Sequence, residues 1–242
     1  MINKGVEYIA YDRKKGSLDE YYNTPTKEEL SKIDTVSMDM WDPFMSSTRE
    51  YVPDASSKIV FDRFHVMKHV NDAVDKTRKD ENRKLKENGI MDLNGSRYMW
   101  LYSEENLPER YRERYNSLKD SDLLTGKAYS MKENIRIMWN LPTEAEAMKY
   151  WERWYSWIIH SSIDAMKDAA RMMKVHLGSI MNYFTQNNKC KVRGNQLKDC
   201  TYREDGIRVQ EQEPPEDCHI LQVWQFTALS MNPHKSVMSL KN

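Results

Sequence analysis

An α/β unit, a large helical block and an irregular tail make up the fold class this sequence predicts, and three observations predict it. Over residues 1–63, short β-forming segments alternate with helix-start signals. From Phe64 to about residue 186 the apolar residues recur at helical spacing. After Gln186 that periodicity lapses, and all 3 cysteines fall beyond it. With Gly and Pro at 8 each, a many-turned all-β fold is excluded.

The elements follow in order. Residues 6–11 carry β-formers in partial alternation and read as a short strand, followed by a charged turn from Asp12 to Gly16. Pro25 and the pair Thr26 and Glu29, at capping-box spacing, open a helix whose Leu30 and Ile33 face a core. Residues 34–40 form a second strand with Val36, Met38 and Met40 on one face and Asp39 at its C-terminal end on the other. Pro43 starts a helix that runs to about Tyr51; after a turn, Lys58 to Phe61 is a third strand, ended by Asp62. Strand, helix, strand at this spacing predicts parallel pairing.

Val66, Val70, Ala73 and Val74 then mark a long helix that stops at Gly89. Further helices are expected over about 104–118, 128–139, 143–160 and 162–184. Thr143 and Glu146 form a second capping box, and Met148, Trp151, Trp154, Tyr155 and Ile158 share one face that reads as core. Beyond residue 186 only a short strand at 220–226 suggests itself.

Composition removes several classes of function. Lys plus Arg and Asp plus Glu both count 37, so formal net charge is +0, which excludes a globally basic nucleic-acid coat but not local stripes. The chain is 31% charged with a mean hydropathy of -0.85. No apolar run approaches the roughly 20 residues a membrane helix needs, and no signal-peptide pattern follows Met1, so no membrane partner and a cytoplasmic location are expected. Cys190, Cys200 and Cys218 lack paired spacing, which fits a reducing compartment and gives only a weak zinc set with His219.

Acids at the C-terminal ends of adjacent α/β strands are placed to hold a divalent cation, and Asp39 and Asp62 are such acids. Turn residues or helix caps are the alternative for both. His65, three residues after Asp62, reads as a ligand, an orienting partner for a carboxylate or a plain buried histidine; His69 lies one helical turn on. Basic residues cluster at Lys76, Arg78, Lys79, Arg83, Lys84 and Lys86, and again at Lys167, Arg171 and Lys174. Each cluster is interleaved with acids, so a solvated face and phosphate contacts are both open readings. There is no P-loop, dinucleotide fingerprint, nucleophile elbow or kinase motif.

Several blocks together resemble the DDE transposases of bacterial insertion sequences, in their ISL-three family. They are Val36-Ser-Met-Asp39-Met-Trp-Asp-Pro-Phe44, Val52-Pro-Asp-Ala55 and Ile59-Val-Phe-Asp62-Arg-Phe-His65-Val66, then Asn71-Asp-Ala73 with Arg78 and Asn94-Gly-Ser-Arg97-Tyr-Met-Trp100-Leu101. Ala128-Tyr129, Lys132-Glu133 and Trp151 to Trp154 continue the order, and the similarity runs from about residue 6 to 186. The resemblance implies a partial RNase H-like catalytic core (1–63), a large all-α insertion (64–186) and an irregular tail (187–242). It implies DNA at transposon ends as substrate, other transposase subunits as partners, Mg²⁺ or Mn²⁺ as cofactor, and a bacterial cytoplasm near the nucleoid. Asp39 matches the second acid of the triad and a metal ligand, while Asp62 and His65 match an Asp-x-x-His beside the metal site.

The departures from the family are equally specific. Its first acid lies on a strand upstream of the segment matched by Val6 to Tyr11 and is expected before Met1, as are its zinc-finger and helix-turn-helix regions; Asp12, in its charged turn, is a poor substitute. Its third acid, a Glu in Ser-Glu-Gly-x-Asn-x-Lys-Ile, is expected soon after Phe184 and is not present in this frame. With permitted codons, Lys189 to Cys200 reread one nucleotide later gives Asn-Ala-Lys-Ser-Glu-Gly-Ile-Asn-Ser-Lys-Ile, and Ile207 to Glu211 gives Tyr-Gly-Phe-Arg-Asn, another family block. A frameshift near Gln186 is therefore expected, with residues 187–242 out of frame. The function expected is that of a transposase fragment, inactive because one triad acid cannot clamp two metals. A non-catalytic helical module that binds DNA or a transposase, and an unrelated metal nuclease using Asp39, Asp62 and His65, are the competing readings.

Overall fold

The computed structural model describes Tyr8, Ala10 and Asp12, residues 14–119, 121–192, 220–225 and 238–241, with side chains as far as Thr185. It divides into two compact units, residues 1–66 with 176–242, and residues 67–175.

The first unit begins with α1 (Lys15–Tyr22), a helix the sequence reading leaves unassigned beyond its charged turn from Asp12 to Gly16. The Asp12 carboxylate accepts from the Lys14 amide at 3.0 Å and the Ser17 hydroxyl at 2.5 Å, which anchors the chain at the helix start. Gly16 within its first turn weakened the sequence signal. Helix α2 (Lys27–Ser31) has the expected capping box, with the Thr26 hydroxyl and the Glu29 carboxylate satisfying each other's backbone amides. Strand β1 (Thr35–Met38) follows, then α3 (Asp42–Tyr51) with its proline in the first turn. The single turn α4 (Ala55–Lys58) leads into β2 (Ile59–Phe61). Tyr22 of α1 shares a 3.0 Å hydrogen bond with Thr48 of α3 and stacks on Tyr51.

All of β2 is buried, as are Val36 and Met38 of β1, the pattern of parallel strands covered on both faces. The strands pair in parallel, with Val36 opposite Ile59, Ser37 opposite Val60 and Met38 opposite Phe61. Helix α10 (Leu177–Val192) lies on β2 and α4, where the Asn182 amide donates to the carbonyls of Ser56 and Ile59 at 2.8 Å each. Residues 177–185 thus pack on the sheet, while the sequence reading groups them with the helical region.

Two backbone segments of the expected irregular tail are strands. β3 (Ile220–Gln225) pairs in parallel with β1, and β4 (Met238–Lys241) pairs antiparallel with β3, giving the order β2-β1-β3-β4. The apolar, β-forming run Ile220-Leu-Gln-Val-Trp224 has strand propensity of its own, and the other edge of β1 offers unpaired backbone groups. The first expected strand, 6–11, lies mostly outside the described residues; Tyr8 and Ala10 belong to no regular element.

The long helix α5 (Arg63–Glu87) starts in the first unit and ends at Gly89, whose φ of 75° closes the helix with the Gly89 and Ile90 amides on the carbonyls of Lys86 and Leu85. The second unit continues with α6 (Glu109–Lys119), α7 (Leu124–Met138), α8 (Glu144–Ile159) and α9 (Asp164–Val175). The helix expected over 162–184 is in fact two, broken at His176. Trp151, Trp154 and Ile158 are buried as expected, and the Thr143 hydroxyl caps α8 through the Glu146 amide. Trp100, Tyr115 and Tyr129 interlock at centroid distances of 5.4 to 6.0 Å. Lys132 is buried beneath them and donates to the carbonyls of Trp100, Leu101 and Tyr102.

Candidate active site

The register of β1 and β2 decides where the acids fall. Met38 lies opposite Phe61, and the next amide, that of Asp62, donates to the Met38 carbonyl at 3.4 Å. Asp39 and Asp62 therefore each follow directly on the last residue of neighbouring paired strands. Both are half-buried, and Oδ1 of Asp39 is shielded from solvent. The reason is local: the apolar runs before each acid enter the core, and a helix begins within a few residues after each acid.

Asp62 is at once a helix cap and a neighbour of the imidazole. Its Oδ1 accepts from the Phe64 amide at 2.8 Å, as an N-cap carboxylate does at the start of α5. Its Oδ2 lies 3.7 Å from Nδ1 of His65, an electrostatic approach longer than a hydrogen bond. His65 is half-buried and meets Phe64 edge-on, with ring centroids 5.4 Å apart. The three residues singled out in the sequence thus fall at one end of two adjacent strands, with the capping alternative for Asp62 realised in the same carboxylate. His69 is exposed.

Two divalent ions that bridge an attacking and a leaving oxygen need several converging anionic ligands. Among the described residues no three His, Cys, Asp or Glu side chains converge in that way. Asp39, Asp62 and His65 by themselves do not fit the metal pair. Asp12 does not complete them: it serves the start of α1, where Ser17 and Lys14 hold its carboxyl well down, at about 2. Of the weak zinc set, Cys200, Cys218 and His219 lie outside the described residues, and the Cys190 side chain does too.

Five of the nine cations in the basic clusters pair with acids of their own helices. Arg78 and Lys79 pair with Asp75, Arg83 with Asp80, Lys167 with Asp164 and Arg171 with Asp168. Arg78 is buried with its partner and serves packing. That pattern supports the solvated-face reading more than phosphate contacts. No helix among the described residues is long and apolar enough to cross a membrane.

Two acids thus follow a parallel strand pair, and the comparisons with known proteins supply the family. The model of a family described as "Transposase", that of the ISL-three DDE enzymes, matches residues 3–191. The chain belongs to this family. It is also 23% identical over 183 residues to the transposase for insertion sequence element IS1001 of Bordetella parapertussis, a match that covers 74% of this chain and 45% of that protein. The chain thus spans about half the length of the curated relative it matches. No solved structure matches it.

Sequence reasoning missed three residues that shape the two units. Asp12 anchors α1; Glu81 accepts from the Leu124 and Thr125 amides and the Thr125 hydroxyl at 2.6 to 2.8 Å; and Lys132 is the buried cation described above. Only Lys132 had a signal, a place in a family block. Asp12 acts on partners two and five residues away, within its own charged turn, whereas Glu81 acts through partners more than forty residues distant.

Proposed function

We propose that this chain is a fragment of the catalytic region of an insertion-sequence transposase, built on a partial RNase H-like core, and that the 242-residue polypeptide by itself does not cut DNA. The family reaction, metal-dependent cleavage and transfer of DNA strands at transposon ends in the bacterial cytoplasm, is the activity from which it derives. The observation that carries this reading is the Met38–Phe61 pair, directly after which Asp39 and Asp62 follow.

At those strand ends Asp39 is the acid that matches the triad. Asp62 matches the family's accessory aspartate and fixes the start of α5, and His65 stands beside it. When bound, Mg²⁺ or Mn²⁺ would supply the charge neutralisation that phosphodiester attack requires. These three side chains leave that demand unmet. The expected outcome is no nicking of supercoiled or terminal-repeat DNA with either ion. Turnover that Asp39→Ala abolishes would overturn the inactivity.

The family's third acid is assigned to the alternative reading frame after Gln186. The nucleotide sequence of the gene is expected to encode Ser-Glu-Gly-x-Asn-x-Lys-Ile one nucleotide out of register; a shifted frame without that peptide rejects the assignment.

A further inference from the structure

We infer that one face of α5, together with Arg97, is a contact surface for the phosphate backbone of duplex DNA. The inference rests on the transposase-fragment reading and gives its DNA a surface within residues 67–175.

Lys68, Asp72, Lys76, Lys79, Arg83 and Lys86 recur at intervals of three and four residues, so they share one face of α5. All six are exposed; five are cations, and Asp72 is the acid of the row. Taken helix by helix, ion pairing favours a solvated surface. Taken by face, this row keeps an excess of positive charge in a chain whose formal net charge is +0. Among the described residues no acid lies within ion-pair distance of Lys68, Lys76 or Lys86. Arg83 has Asp80 at 3.4 Å, and Lys79 shares its partner, Asp75, with two arginines. One carboxylate thus serves three cations, and two of them, Lys79 and Arg97, have side chains 62% and 54% exposed.

The same carboxylate joins Arg97 to the row. Its Oδ2 lies 2.8 Å from the Lys79 ammonium and 3.5 Å from Nε of Arg97. Arg97 reaches it from a turn that is firmly held. Gly95 takes a φ of 69°, and the Ser96 hydroxyl donates to the Leu93 carbonyl while accepting from the Trp100 indole. Arg114 donates to the carbonyls of Asp92 and Asn94 at 2.7 and 2.6 Å. A cation fixed in this way loses little conformational freedom when an anion arrives.

The shape of the row selects the partner. From Lys68 to Lys86 it extends about 27 Å at the rise of an α-helix. That length spans about eight phosphates of one DNA strand at 3.4 Å per step. A straight row of cations complements a rod with evenly spaced negative charges, and a duplex is such a rod. A single strand has first to be straightened, at a cost in entropy. Contacts of this kind hold and orient a duplex without reading its sequence.

The test is binding of the full chain to a labelled duplex of arbitrary sequence, by fluorescence anisotropy over a series of salt concentrations. The corresponding single strand and poly-glutamate are measured as rival polyanions. The duplex should bind tightest, with log K falling linearly with log salt concentration. Lys76→Gln with Lys86→Gln should weaken duplex binding about tenfold at low salt and lower that slope by about 2. Lys76→Arg with Lys86→Arg keeps the charge and should bind like wild type. Arg171→Gln with Lys174→Gln removes the same charge from α9 and should leave the slope unchanged. An equal loss from the α9 pair would assign the effect to net charge and overturn the inference. So would a single strand or poly-glutamate bound as tightly as the duplex, or no duplex binding at all. Each of these outcomes leaves the transposase-fragment reading standing, because the shifted frame of the gene and the nicking assay test that reading separately.

Discussion

Lys132 is 1% exposed, and its ammonium group meets three carbonyls, Glu133 and the face of Tyr129. Burial is the dominant influence and pulls its pKa down to about 8, with Glu133 pulling the other way. The folded value lies below the ordinary 10.5, so the unfolded chain holds this proton more tightly. The cost of burying the charge is therefore full below about pH 8 and fades as pH rises toward 10.5. Lys132→Met should remove the side-chain donor from the carbonyls of Trp100 and Leu101, with only the Tyr129 hydroxyl left on that of Tyr102, and cost about 2–4 kcal/mol, read from urea denaturation at pH 7. The same titration repeated at pH 9.5 should show the wild-type chain gaining further on the variant. A stability difference that shrinks between those pH values would contradict this account.

Helix ends in this protein are closed by a few side chains with definite partners. Glu81, on α5, places its carboxylate over the first turn of α7, accepting two amides and a hydroxyl. That position combines an N-cap hydrogen bond with a negative charge at the positive end of a helix. Glu81→Ala should cost about 1–2 kcal/mol, and hydrogen exchange should quicken at the first-turn amides of α7 before it does elsewhere in the second unit. At the C-terminal end of α5 the left-handed Gly89 does the corresponding work for the carbonyls. The capping box at Thr26, the Thr143 hydroxyl cap (without the reciprocal Glu146 bond of the expected box) and the stop at Gly89 were legible in the sequence, because each depends on residues within a few positions of one another. The Glu81 cap was not, because Glu81 and Thr125 stand 44 residues apart.

For the chain as a whole, the long-range closure that matters most to the site is made by Asn182. It ties α10 to the carbonyls of Ser56 and Ile59 across more than a hundred residues of chain, and so braces the strand whose tip carries Asp62. Asn182→Ala should cost about 1–2 kcal/mol. Its signature should be faster hydrogen exchange in β2 with the amides of α7 unchanged; uniform loss across both units would point instead to a general packing defect. Helix α10 read simply as a continuation of the helical block, since nothing in its apolar spacing says which surface it covers.

What the sequence by itself determined is the local grammar: β1, α3, β2 and α5 in order, the capping residues, the aromatic stripe of α8, and family blocks specific enough to name a transposase. These follow from periodicity and short-range chemistry. Only the tertiary structure decided that positions 39 and 62 both follow the paired residues Met38 and Phe61, that the Asp62 carboxylate caps α5 while facing His65, and that Asp12 anchors the start of α1. It also decided that segments after Gln186 join the sheet. Strand register and helix docking are set by pairing between distant segments, and a periodic pattern carries no information about which distant segment that partner is.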